Sequence, residues 1–165
     1  MFRENTEGFY ADRNMAVGNA EFRPTDDLTL STRKITRRAC ARIARAAFEE
    51  ATRRRGHVTA VHKANVLKLG DGMFLEEIRK VAADYPAVTL DEVIVDAMAA
   101  LLVRDPSRFD VVVTTNMYGD ILSDEAGEIA GSLGLTPSLN AGDEMAIAQA
   151  VHGSAPDIAG KSVAN

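Results

Sequence analysis

The stretch from Phe109 to Ala130 constrains this chain most. Phe109-Asp110-Val111-Val112-Val113-Thr114-Thr115 is an apolar, β-branched run of the length of a buried strand. Glu125-Ala126-Gly127-Glu128-Ile129-Ala130 has the pattern of a helix. Between them lies Asn116-Met117-Tyr118-Gly119-Asp120-Ile121-Leu122-Ser123-Asp124, so the sequence predicts a strand, a turn at Gly119 and a helix starting near it. Asp120 and Asp124 then lie one turn apart on one helix face. Two like charges so placed repel unless a cation lies between them, and hard carboxylate oxygens suit Mg²⁺ or Mn²⁺. The same two residues can equally serve as a helix cap and a solvated first-turn acid.

The rest of the chain alternates strands with helices, which means α/β with a parallel or mixed sheet. Residues 15–30, with Gly18, Pro24 and two adjacent aspartates, read as an irregular arm or hairpin. Ser31 is placed to cap a long helix reaching Arg55, with Ile35, Ala39, Ile43, Ala46 and Ala47 as its apolar face and Gly56 as its stop. Its arginines, from Arg33 to Arg45 and again at Arg53-Arg54-Arg55, read as a solvated face. Val58–Val61 is a strand, Gly70-Asp71-Gly72 a turn, and Met73–Asp84 an amphipathic helix ended by Pro86. Val93–Val95 is a strand, followed by a helix from Asp96 to Val103 and a turn at Asp105-Pro106. Beyond Gly131 the pattern loosens: Ser132–Pro137 is a loop, Met145–Val151 a strand, and His152–Gly160 is rich in small residues suited to close backbone approach to a ligand.

The 165 residues, net charge of −5 and 46% hydrophobic content describe an ordinary globular chain with no general attraction for nucleic acid or anionic membrane. A single cysteine, Cys40, excludes an internal disulfide framework and fits a cytoplasmic location. No apolar run is long enough to span a membrane. Both ends read as cut, the polar opening Arg3–Tyr10 resembling the middle of a domain, so a portion of a larger enzyme is expected.

Three strands end in residues with chemical potential: Lys63, Asp96, and Asn116 with Asp120. Open α/β sheets form sites at the carboxyl ends of their strands. Aspartates can hold a metal, a lysine can move protons, Arg3 can clamp a carboxylate and Tyr10 can act as an acid. Each has a simpler use as a snorkelling lysine, a helix cap, a solvated arginine or a packing tyrosine.

Four ordered motifs carry more. Arg3-Glu4-Asn5-Thr6-Glu7-Gly8, His62-Lys63-Ala64-Asn65-Val66-Leu67, Asn116 through Leu135, and His152-Gly153-Ser154-Ala155-Pro156-Asp157-Ile158-Ala159-Gly160 together resemble the β-decarboxylating dehydrogenases, which act on isocitrate, 3-isopropylmalate, homoisocitrate or tartrate. The resemblance implies an α/β, isopropylmalate-dehydrogenase-like fold. Residues 1–130 would form the substrate, metal and dimerisation domain, with a clasp-like arm at 15–30. Residues 131–165 would begin the return into the cofactor domain. It implies Lys63 and Tyr10 as proton-transfer residues, Arg3 and Asn65 as substrate contacts, and Asp120, Asp124 and Asp96 as ligands of Mg²⁺ or Mn²⁺. Lys63 and Asp96 would come from the second subunit of a homodimer. His152, Gly153, Ser154, Ala155, Asp157 and Asn165 would bind the cofactor's adenosine. A carboxylate at Asp157 accepts bonds from ribose hydroxyls and repels a 2′-phosphate, which favours NAD. The implied reaction is oxidative decarboxylation of a 2-hydroxy diacid, with 3-isopropylmalate favoured over tartrate, isocitrate and homoisocitrate. A non-catalytic dimerisation module and a plain metal-binding protein are the rival readings.

Overall fold

The computed structural model describes all residues except 11–19, 132, 133, 135, 143, 152, 164 and 165. His152, Asn165 and the start of the expected arm therefore lie outside the described residues. Two compact units are present, Met1–Glu125 and Ala126–Asn165.

The first unit is built on a four-stranded sheet in the order β1 (Phe2–Arg3), β6 (Val111–Thr114), β4 (His57–His62), β5 (Thr89–Ile94). Every pairing in it is parallel, with Val61 opposite both Val93 and Thr114. Successive side chains on β4 and β6 point to opposite faces, and both faces are covered. On one side, α1 (Arg37–Thr52) and α2 (Gly70–Ala82) bury Phe48, Phe74 and Ile78 against Val58, Ala60, Val111 and Val113. On the other, Met98 and Leu102 of α3 (Val95–Arg104) and Leu122 of α4 (Asn116–Ile129) pack on Val61 and Val112. The unbroken apolar runs of the sequence reflect this two-sided burial. Residues 20–31 form the expected hairpin, β2 (Glu21–Thr25) antiparallel to β3 (Leu28–Ser31).

Several element boundaries differ from the sequence expectation, each for a local reason. The long helix starts at Arg37 and not at Ser31, because Ser31 is spent in β3 and Thr36 is the cap, its hydroxyl accepting from the Ala39 amide at 3.3 Å. The Glu7 carboxylate in turn accepts from the Thr36 amide at 2.6 Å and its hydroxyl at 2.9 Å. The buried stripe of α1 is Ala39, Cys40, Ala44, Ala47, Phe48 and Ala51, turned to seat Phe48, while Ile35 and Ile43 are partly buried. Burial pushes the Cys40 thiol up to about 12. Gly70-Asp71-Gly72 is no turn but the first turn of α2, and Asp71 is fully buried. β5 begins at Thr89, so its register with β4 is longer than the apolar triplet suggested. The strand expected at 109–115 shortens to Val111–Thr114, since Asp110 accepts from Arg54 Nε and the Arg55 amide, both at 2.9 Å.

Gly119 also has a different use. α4 begins at Asn116, so Gly119 lies inside the helix and does not make the turn. A Cβ there would sit 2.5 Å from Arg3 Cγ and 2.7 Å from Arg3 Cβ. The glycine opens the space through which the Arg3 stem crosses α4.

The second unit contains an antiparallel pair, β7 (Pro137–Ala141) and β8 (Ala146–Ala150). β8 lies within the strand expected at Met145–Val151, whereas β7 has no counterpart in the sequence expectation beyond Pro137, the last residue of the expected loop. Among the described residues no helix is long and apolar enough to cross a membrane.

Two substitutions check this packing. Gly119→Ala forces the rigid stem of Arg3 aside and should lower stability by about 1–3 kcal/mol in urea unfolding; unchanged stability would contradict the close approach. The Thr59 hydroxyl is buried without a hydrogen-bond partner among the described residues. Thr59→Val should therefore hold or raise the unfolding free energy, by up to about 1 kcal/mol, and a clear loss would contradict the assignment.

Candidate active site at the carboxyl edge of the sheet

Parallel pairing places the carboxyl ends of β1, β6, β4 and β5 along one edge, and the residues singled out in the first unit leave from it. Arg3 closes β1. The β6–α4 junction supplies Asn116 and, one turn on, Asp120. Lys63 follows β4, and Asp96 stands in the first turn of α3 after β5.

Two clusters result. In the first, Arg3 Nε and Nη2 donate to Asn116 Oδ1 at 2.8 and 2.6 Å, and Arg3 Nη1 pairs with Asp120 Oδ1. The Tyr10 hydroxyl donates to Asp120 Oδ2 at 2.9 Å, and the Arg3 guanidinium lies 5.8 Å from the centre of the Tyr10 ring. Asn116 is held from behind, its amide donating to the Glu7 carbonyl at 2.8 Å. The pairing leaves the Asp120 side chain 47% exposed, so it remains open to solvent and to ligands. Asp124 is exposed one turn further along α4.

In the second cluster, Lys63 Nζ donates to Asp96 Oδ1. The hydrogen bond from Lys63 holds the Asp96 carboxyl below the usual carboxylate range. Asn65 is exposed in the turn after Lys63, where the Val66 and Leu67 amides donate back to the Lys63 carbonyl at 2.9 and 2.8 Å.

The structure thus joins Arg3, Tyr10 and Asp120, and separately joins Lys63 and Asp96. Among the described residues no group of three His, Cys, Asp or Glu side chains is placed to hold a metal ion, so Asp96 does not gather with Asp120 and Asp124 in one chain. Gly153, Ser154, Ala155 and Asp157 belong to the second unit, in a run of turns where the Ile158 amide donates to the Ala155 carbonyl at 3.1 Å and Ala155 takes a positive φ of 40°.

Three charged residues at this edge escaped the sequence reading. Glu4 is buried, accepting from the Thr6 amide at 3.0 Å and the Glu7 amide at 3.1 Å, with Arg42 paired to it. Arg33, grouped by sequence with a solvated arginine face, is instead 10% exposed and ion-paired to the buried Asp71. Asp71 was hidden by its flanking glycines, which imitate a turn. In the structure Gly70 leaves room for this pair, since a Cβ there would stand 3.2 Å from Arg33 Nη1.

Comparison with known proteins shows the family. The family model described as isocitrate/isopropylmalate dehydrogenase matches residues 1–165. The 3-isopropylmalate dehydrogenase of Archaeoglobus fulgidus is 51% identical over 99% of this chain and 48% of its own. The homoisocitrate dehydrogenase of Methanocaldococcus jannaschii is 48% identical over 100% of this chain and 45% of its own. The crystal structure of isocitrate dehydrogenase from Methylococcus capsulatus superposes with a TM-score of 0.88 at 49% identity, covering 99% of this chain and 48% of that one. The chain spans about half the length of the curated relatives it matches. With sequence match and fold in agreement, the chain belongs to the isocitrate/isopropylmalate dehydrogenase family.

Proposed function

We propose that this chain supplies the metal-binding and proton-transfer half of an NAD-dependent oxidative decarboxylase of 2-hydroxy diacids, with a 3-isopropylmalate-like substrate favoured over isocitrate, homoisocitrate and tartrate. The observation that carries the proposal is the pair of clusters at one sheet edge, Arg3–Tyr10–Asp120 and Lys63–Asp96, in a member of this family.

Each side chain has a role its chemistry permits. Arg3 presents a planar fork of donors, already steered by Asn116, to a substrate carboxylate. Lys63 is placed to take the proton of the 2-hydroxyl; a nicotinamide, when bound, would accept the hydride, giving the ketone. Loss of the β-carboxylate as carbon dioxide leaves an enolate, whose oxygen takes its proton back from Lys63; the Tyr10 hydroxyl then protonates the carbon while Lys63 removes the enol proton, giving the ketone product. Asn65, exposed beside Lys63, is free to contact substrate. Asp120 and Asp124 offer hard oxygen donors from one helix face, a fit for Mg²⁺ or Mn²⁺, and Asp96 of a second copy would add the third carboxylate. When bound, such an ion polarises the hydroxyl and carbonyl oxygens of the substrate. His152, Gly153, Ser154, Ala155, Asp157 and Asn165 are assigned to adenosine, with Asp157 selecting NAD by repelling a 2′-phosphate.

Two features support a site shared between copies. Asp96 pairs with Lys63 of its own chain, and no third acid joins Asp120 and Asp124 among the described residues. The homodimer is accordingly part of the proposal.

The test grafts residues 1–165 in place of the matching half of the Archaeoglobus fulgidus relative. NADH formation is then followed with Mn²⁺ and the four diacids. Turnover with at least one diacid, and preference for NAD over NADP, are expected. Lys63→Ala and Asp120→Asn should each lower kcat by about 10²-fold or more. A folded chimera that turns over none of the diacids, or either variant at full rate, would contradict the proposal.

A further inference from the structure

Among the described residues Asp71 is the one acid at this edge with no exposed surface, and it takes no part in the reaction just described. It stands in the first turn of α2, where an acid ordinarily complements the helix dipole from the solvent side. Here it is turned inward onto two donors from two separate segments. The Lys63 backbone amide donates to Oδ2 at 2.6 Å, and Arg33 Nη1 pairs with Oδ1. Arg33 extends the network, its Nη2 donating to Thr115 Oγ1 at 2.9 Å. Its guanidinium lies 5.5 Å from the centre of the Tyr118 ring and 5.7 Å from that of Phe9.

The partners matter more than the burial. Tyr118 and Thr115 bracket the first residues of α4, the helix that carries Asp120 and Asp124. The remaining donor is the main chain of Lys63 itself. A buried ion pair is no cheap source of stability, since apolar residues of similar volume often serve as well or better. What a carboxylate provides and an apolar side chain cannot is a fixed acceptor for that amide. We propose that Asp71 is a positioning residue, its carboxylate setting the Lys63 backbone against the β6–α4 junction so that the lysine ammonium is held at the reaction edge. The kinetic consequence rests on the role given to Lys63 above; the anchoring of its backbone does not.

Two measurements test this. In the 165-residue chain labelled with ¹⁵N, Asp71→Asn should move the Lys63 amide resonance and raise its hydrogen-exchange rate, with smaller changes at Thr115 and Tyr118. An unchanged Lys63 amide would overturn the anchoring. In the grafted enzyme, Asp71→Asn should lower kcat on the order of 10²-fold and leave KM nearly unchanged, as expected when a reacting group is misplaced by about 1 Å. The effect should vanish in a Lys63→Ala background whose turnover is supported by added ethylamine, because the free amine does not depend on the main chain at 63. An equal loss in both backgrounds would assign Asp71 a general structural role and overturn the proposal. Should Asp71→Asn fail to fold, the charge-balanced pair Asp71→Asn with Arg33→Gln keeps the interior neutral and must show the same dependence on Lys63. A full-rate Lys63→Ala enzyme would instead refute the proton-transfer reading while leaving the amide result standing.

Discussion

Parallel pairing is the constraint on which the rest of this structure depends. Strands in parallel register cannot be joined by tight turns, so each must be followed by a crossover, here supplied by helices on both faces of the sheet. The consequence is that β1, β6, β4 and β5 all deliver their carboxyl ends to the same edge. Arg3, Asn116, Lys63 and Asp96 are delivered to one edge by topology, and Arg3 meets Asn116 although more than a hundred residues separate them.

Gathering charge at one edge creates the next requirement, which is compensation. Arg3 is met by Asn116 and Asp120, and Lys63 by Asp96. Deeper in, the carboxylate of Asp71 has lost its water and is matched by Arg33 and the Lys63 amide. Space is matched as closely as charge. Gly119 leaves room on α4 for the stem of Arg3, and Gly70 leaves room on α2 for the guanidinium of Arg33. In each case a glycine that looks like a turn signal is a clearance for a charged side chain.

That double use of glycine explains what could and could not be read from the sequence. The α/β class, the strands at 57–62 and 111–114 and the hairpin at 21–31 were legible because apolar runs and turn residues are local signals. The residues at the strand ends were legible because their chemistry stands out at the places where sites form. The helix starts at Asn116 and Gly70 were obscured by their glycines, and the start at Arg37 by a serine well suited to capping. Asp71 and Arg33 could not be found at all from local pattern. They are 38 residues apart, and Arg33 is held between Asp71 on α2 and Thr115 and Tyr118 at the start of α4, a meeting of distant segments that no window of sequence displays.

One consequence of this architecture is that a chain carries both clusters of the proposed metal and proton-transfer site without closing either on the other. Asp120 and Asp124 lie on α4, Lys63 and Asp96 beyond β4 and β5, and among the described residues the acids do not converge. Completion by a second copy is the central claim of the account. Subunit complementation in the grafted enzyme tests it most directly: the Lys63→Ala and Asp120→Asn proteins, each inactive alone, are unfolded together and refolded as a mixture. If sites are shared, half of the dimers are heterodimers holding one intact site, and about a quarter of the wild-type activity returns. If the mixture stays as inactive as its components, the two residues serve one site from one chain, and the shared-site account is wrong.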